Sequence, residues 1–326
     1  MPYWQGIGLA VLAALPFLGL GNYPLHLCIL VLLWAFIYTS WSIMGRFGLV
    51  SLGHGAFTGI GAYGTTLLWN QLGVTPWLGI PASVALAVLV AIVIGWPCFR
   101  FRIVGHYFAL VTLALSEVVR LIIIALRDHT GGSLGLTPRS ALTEGPVALA
   151  ALQFASKTVW YYIVLVLWLV GLVVWRRVDR SMARYALEAI SEEEGAAASV
   201  GINVTWTKLK VAMISAGLSA AGGAFYGQYQ LYINPETVSG IGVSLQIVFA
   251  AIAGGMFVQL GPTIGALFTL LLTEALRVAI GHDVHGLDTT IYGLMLVVFI
   301  IFMPRGILGT ATESWRRRHV TKRRAA

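Results

Sequence analysis

Charge is what this chain has least of. Asp, Glu, Lys and Arg make up 10% of its 326 residues, against roughly 25% in an average soluble domain. So small a supply cannot cover a globular surface in water, which excludes an ordinary soluble fold. Cysteine is nearly absent: Cys28 and Cys98 fall in or beside apolar runs, where packed thiols are expected, and they set no redox compartment. No G-x-x-x-x-G-K-[ST] phosphate loop occurs, so the chain is not expected to hydrolyse ATP itself. No nucleophile set with a partner base stands out, and His282 and His285 flanking Asp283 and Val284 are weak evidence for a metal. Catalytic and metal-ligating residues are therefore expected to be none.

Hydrophobic residues make up 58% of the chain. Apolar runs lie near residues 5–21, 24–44, 48–69, 76–98, 104–126, 158–176, 209–232, 240–258, 261–281 and 286–303. About 20 apolar residues at 1.5 Å rise span a hydrocarbon core about 30 Å thick. The runs are continuous rather than alternating, which favours helices over a barrel. The expectation is an all-α, polytopic membrane bundle of about ten helices, a single transmembrane domain over 1–326. The first run has no basic residue before it and reads as a membrane helix rather than a cleaved leader.

The net charge of +8 could suggest nucleic acid, but its distribution argues against that. Arg46, Arg100, Arg102, Arg176, Arg177, Arg180, Arg184, Lys208 and Lys210 sit between runs, and Arg305 with residues 316–324 makes a basic tail over 305–326. With both ends cytoplasmic, all of these face inward and only Arg127, Arg139 and Lys157 lie in outward segments, as the positive-inside rule requires. A faint internal repeat pairs Leu113–Arg120 with Leu270–Arg277, and Gly61-Ala-Tyr-Gly64 with Gly223-Ala-Phe-Tyr226. The alternatives are a duplicated half and chance similarity of apolar segments.

Three constellations carry chemistry. The run from Arg46 to Tyr63 holds five glycines, for which tight helix packing is the plainer reading, with Ser51, His54 and Phe57 among them. A polar group in hydrocarbon needs a partner and faces the bundle interior, so His54 either lines a solute route, supports one, or packs in the core. Glu117 with Arg120 and Glu274 with Arg277 are i,i+3 pairs within apolar runs. They line a pathway or reach the interface from near a helix end. The segment 177–208 is the longest polar stretch expected inside. Helix formers from Arg184 run through Glu188, Glu192, Glu193 and Glu194 to a Gly201-Ile-Asn203 stop, which suits an amphipathic surface helix and a docking surface.

At these residues the sequence resembles the LivM-type permease subunit of branched-chain amino acid ABC importers. Gly48–Tyr63 is similar to the family's G-x-x-S-L-G-x-x-A-F-x-x-I-G-A-Y signature, Thr130–Leu136 to its T-G-G-S-x-G-L loop, and Glu194–Asn203 to its A-A-x-x-x-G-I-N element. The resemblance implies that 177–208 carries the helix that docks on an ATPase. Ala196, Ala197 and Gly201 would fall on the coupling motif and Gly195 where Glu is expected. It implies a second LivH-like permease chain beside this one, two cytoplasmic ATP-binding subunits that hold ATP and Mg, and an extracytoplasmic solute-binding protein, in the lipid of the bacterial inner membrane. No cofactor is expected in this chain. Urea permeases share the S-L-G-H-G-A-F stretch closely, so a urea, amide or carboxylate solute is the alternative. A stand-alone secondary transporter or channel is the reading from another class.

Overall fold

The structure is a computed structural model that describes residues 10–19, 21–140 and 146–280, with short pieces at 293–294, 297 and 306–310. Its main elements are the helices α1 (Asn22–Gly45), α2 (His54–Leu72), α3 (Pro76–Arg100), α4 (His106–Ala125), α5 (Lys157–Asp179), α6 (Met182–Glu192), α7 (Glu194–Ser199), α8 (Val204–Gln230), α9 (Pro235–Val238), α10 (Gly240–Gly254) and α11 (Gly261–Ile280). Among the described residues the one extended pairing is a bridge between Leu136 and Ile233. It ties the Thr130–Leu136 loop to the chain leaving α8.

Six helical stretches are long and apolar enough to cross a bilayer: α1, α3, α4, α5, α8, and α9 with α10 together. The 24 residues of α1 reach about 36 Å at 1.5 Å per residue. The structure thus gives an all-helical, multi-pass architecture with six such spans among the described residues. The expected run 286–303 lies almost wholly outside those residues, as does the start of the run 5–21, and so do His282 and His285.

One expected span is corrected. Residues 46–53 are turn and irregular chain, and helix resumes only at His54 rather than at 48. The break ends inside the bundle, about one and a half turns in from the end of α1, because His54 shares Ser215 with Ser40, five residues before that end. Non-helical backbone at that depth is tolerated only where protein satisfies it. Here the Trp41 indole donates to the Ser51 carbonyl at 2.8 Å, and the Leu52 N–H finds the Thr112 hydroxyl at 3.0 Å. The expected run 240–258 is also shorter, since Gly255 leaves helical geometry at φ +111°.

The core is built on α1 and α8. Every residue of α1 from Leu32 to Gly45 is buried, as expected for a helix apolar all round. By contrast α4 is the most outward of the spanning helices, with Leu110, Val118, Leu121 and Ile122 all exposed.

α2 and α8 cross with backbone contact. A Cβ on Gly61 would sit 1.9 Å from the Ala220 carbonyl, and one on Gly223 would sit 2.1 Å from the Thr58 carbonyl. Ala220 stands 162 residues after Thr58, and Gly223 stands 162 after Gly61, so one shift exchanges the two contacts. The helices run the same way, since His54 meets Ser215 and Ala62 meets Gly227. Two repeats related by an axis along the membrane normal give this arrangement, and it favours duplication over chance for the pair at Gly61 and Gly223.

Candidate functional site

Ser51, His54 and Phe57 come together at the break before α2. His54 is fully buried. Its Nε2 lies 2.7 Å from Ser215 Oγ, which spends its own proton on the Ser40 carbonyl at 2.6 Å. The hydroxyl has one hydrogen, so His54 Nε2 must be the donor. Its Nδ1 is then a bare acceptor with no hydrogen-bond partner among the described residues. The Phe57 ring meets the imidazole edge-on at 5.8 Å, and Ser51 Oγ accepts from the Gly53 N–H at 3.1 Å. His54 thus pins three elements, α1, α2 and α8, at one point. Ser51 and Phe57 line a small apolar pocket with Thr112 and Leu115.

A second buried polar junction lies beside it. The Ser116 hydroxyl reaches the Gly240 carbonyl and Ser244 Oγ, each at 2.9 Å. Ser244 Oγ accepts from the Gly55 N–H at 3.0 Å, and Thr58 Oγ1 donates to the Val238 carbonyl at 2.7 Å. The first turns of α2 and α10, both begun inside the bundle, are therefore held against each other and against α4. Sequence reasoning missed these residues. The signal available was hydroxyl residues inside apolar runs.

Glu117 and Arg120 pair as their spacing predicts, with Arg120 Nε 2.9 Å from Glu117 Oε1. The structure adds a partner that spacing could not show: Arg120 Nη1 donates to Glu236 at 2.7 Å. The triad carries one net negative charge. It sits on the outward helix α4 and on α9, and Glu236 is 73% exposed. Glu274 lies apart from it on α11, taking a hydrogen bond from the Tyr23 hydroxyl. The Arg277 side chain lies outside the described residues.

The basic end of the bundle carries α6 and α7. Leu187 and Ile190 fix α6 to the bundle and leave its charged face free, as the amphipathic pattern implies. Helix α7 is only six residues long and ends where expected. Gly201 has φ +89°, where a side chain would be strained, and Asn203 Oδ1 caps α8 by accepting from the Trp206 N–H at 3.0 Å. The acids divide. Glu188 pairs with Arg184 at 2.7 Å and Glu194 with the buried Lys208, whereas Glu192 and Glu193 are exposed. The two alanines divide as well. Ala196 is exposed, but Ala197 is 3% exposed and packs within this chain, so the pair does not present one outward small-residue surface.

Arg46 joins this segment to the core. Its side chain is 5% exposed, 2.9 Å from Asp179, and its guanidinium carbon lies 4.0 Å from the Trp175 ring centroid. Burial pulls its pKa down to about 10, opposed by Asp179, so it stays charged at neutral pH. Asp179 also lies 3.5 Å from Arg184. These groups and Glu188 and Glu192 line a cavity of about 670 Å³ between the end of α1 and α6. Among the described residues no three His, Cys, Asp or Glu side chains gather as a metal site would need.

Residues 23–303 match the family described as the branched-chain amino acid transport system permease component. Two curated relatives each share 28% identity over 284 residues: the "High-affinity branched-chain amino acid transport system permease protein LivM" of Salmonella typhimurium strain LT2 and that of Escherichia coli strain K12. The alignment covers 82% of this chain and 65% of each relative, so the match spans just under two thirds of their length. No solved structure gives a significant match.

Proposed function

The chain belongs to the branched-chain amino acid transport system permease component family, and from that premise we propose that it is a permease subunit of an ABC importer for branched-chain or related amino acids. It works in the bacterial inner membrane with about ten membrane helices and both ends cytoplasmic. A second LivH-like permease chain sits beside it, two ATP-binding subunits lie below and a solute-binding protein delivers from outside. ATP and Mg belong to the ATP-binding subunits. Gathering of the basic residues at the end that carries α6 and α7 supports a cytoplasmic position for that end.

The observation that carries the pathway is the Glu117–Arg120–Glu236 triad. Charges in a membrane span face a protein interior or water, not lipid, yet the described residues leave the triad on α4 and α9 partly uncovered, with Glu236 73% exposed. A second permease chain against α4 would enclose it and form the solute route between the two. Glu274 lies on another helix, α11. His54 acts as a positioning residue, holding the start of α2 behind the route. Segment 182–203 receives the ATPase stroke, with Glu192, Glu193 and Ala196 as its outward contacts, and Arg46 passes the motion to α1.

The test is reconstitution. The chain is purified with its partners, and uptake of leucine and of urea is measured in proteoliposomes with ATP inside. Amino acid uptake with two ATPase chains copurifying is the expected result. Uptake of urea alone would move the solute to the runner-up class, whose S-L-G-H-G-A-F stretch this chain carries at residues 51–57. Labelling of residues 182–199 from outside would overturn the coupling assignment.

A further inference from the structure

A groove of about 770 Å³ lies between α5, α6 and α8 at the basic end of the bundle, a size usual for ligand pockets. Its walls are apolar, with Val173, Val174, Leu187, Val211 and Ile214 among them, and its rim carries Arg177 from α5 and Lys210 from α8. Both cations are exposed, and neither forms an ion pair among the described residues. Helical spacing sets the order of the lining. Val173 precedes Arg177 by one turn, and Ile214 follows Lys210 by one turn, so on both helices the cation sits at the basic end and the aliphatic groups lie deeper in the membrane. Met182, 81% exposed, and the exposed Tyr185 and Trp206 mark the same level as the membrane interface.

We infer that this groove is a binding site for one anionic phospholipid, its headgroup phosphate between Arg177 and Lys210 and an acyl chain along the valines of α5 and α8. Basic pockets between membrane helices hold anionic headgroups in this way. A soluble ATPase cannot reach the aliphatic floor, which lies within the spans of α5 and α8. A protein occupant would have to bring its own carboxylates to two free cations at the interface, whereas an anionic lipid brings the charge and the chain together. The assignment requires only that the chain is embedded in a membrane, and it stands whether or not the importer reading does.

The test uses the full transporter in detergent and in nanodiscs. Native mass spectrometry should find phosphatidylglycerol retained on the wild type, and added phosphatidylglycerol should raise its melting temperature more than phosphatidylcholine does. The variant Arg177→Gln/Lys210→Gln should bind phosphatidylglycerol about thirtyfold more weakly, for two basic residues near a membrane surface. Val173→Trp, which fills the groove and keeps both cations, should also displace the lipid. Equal stabilisation by the two lipids would overturn the proposal. So would unchanged retention in both variants, or a free glycerol phosphate acting as well as the lipid. Stoichiometric crosslinking of Ala183→Cys to another protein chain would show that the groove is a protein interface instead. None of these readouts depends on which solute is carried.

Discussion

The Arg46 guanidinium, at the end of α1, is 2.9 Å from Asp179 and rests against the Trp175 ring, both at the end of α5. One cation thus holds the ends of two parallel helices together, at the place where the chain turns into α6. The pair is more than a surface ion pair, because Arg46 is almost completely buried. Nη1 alone reaches Asp179, and Nε and Nη2 have no hydrogen-bond partner among the described residues.

Breaking one side of that pair should cost more than removing both. Asp179→Leu leaves Arg46 buried and uncompensated, at a cost of about 2 kcal/mol, below the usual value for a fully buried pair because Asp179 is partly exposed. The double variant Arg46→Met/Asp179→Leu should recover at least half of the loss. Chemical or thermal unfolding in detergent checks the order. A double variant less stable than the single one would show that Arg46 contributes mainly by its own packing on Trp175.

His54 supplies a proton to Ser215 and fills a closed space. His54→Ala should lower stability by about 2–4 kcal/mol through the cavity and the lost bond, and should cut uptake per assembled transporter further than it cuts assembly. His54→Gln keeps a donor near the Nε2 position and should restore most of the uptake. If glutamine is no better than alanine, the hydrogen bond to Ser215 is not what positions α2.

The two alanines of α7 should fail in different ways. Ala196→Trp adds bulk to an exposed position, so the melting temperature should hold while solute-stimulated ATP hydrolysis in proteoliposomes is lost. Ala197→Trp forces bulk into this chain's own packing and should lower the melting temperature by an overpacking cost of about 1–3 kcal/mol. Normal stimulated hydrolysis in Ala196→Trp would remove α7 from the coupling surface.

At the crossing of α2 and α8, Gly61→Ala and Gly223→Ala each push the same two backbones apart. Each should cost about 1–3 kcal/mol, and the double variant should cost about 1 kcal/mol less than the sum, since the second methyl enters a gap the first has opened. Strict additivity, measured by unfolding, would mean that the two contacts yield independently.

The spans were legible because bilayer thickness imposes an apolar length that composition reveals. The runs expected at 24–44, 76–98, 104–126 and 158–176 fall within a few residues of α1, α3, α4 and α5. The break at 46–53 was not legible, because glycine serves two opposite purposes. Gly48 and Gly53 lie in non-helical chain, while Gly55, Gly59 and Gly61 lie in α2, three of them within a dozen residues. The Glu117–Arg120 pair followed from helical spacing, but Glu236 lies 116 residues further on and only the fold brings it near. The inward turn of Ala197 was hidden too, since a six-residue helix is too short to show a period.

The exchange of Gly61–Ala220 for Gly223–Thr58 under a single shift is the pattern a twofold dimer shows, where each partner offers the other the same patch. Half of this molecule therefore greets its sibling half as two copies of one shorter polypeptide would. A chain severed in the loop between α4 and α5 would leave two fragments that each carry one side of that handshake, and the seam along α2 and α8 is where they would be expected to find each other again.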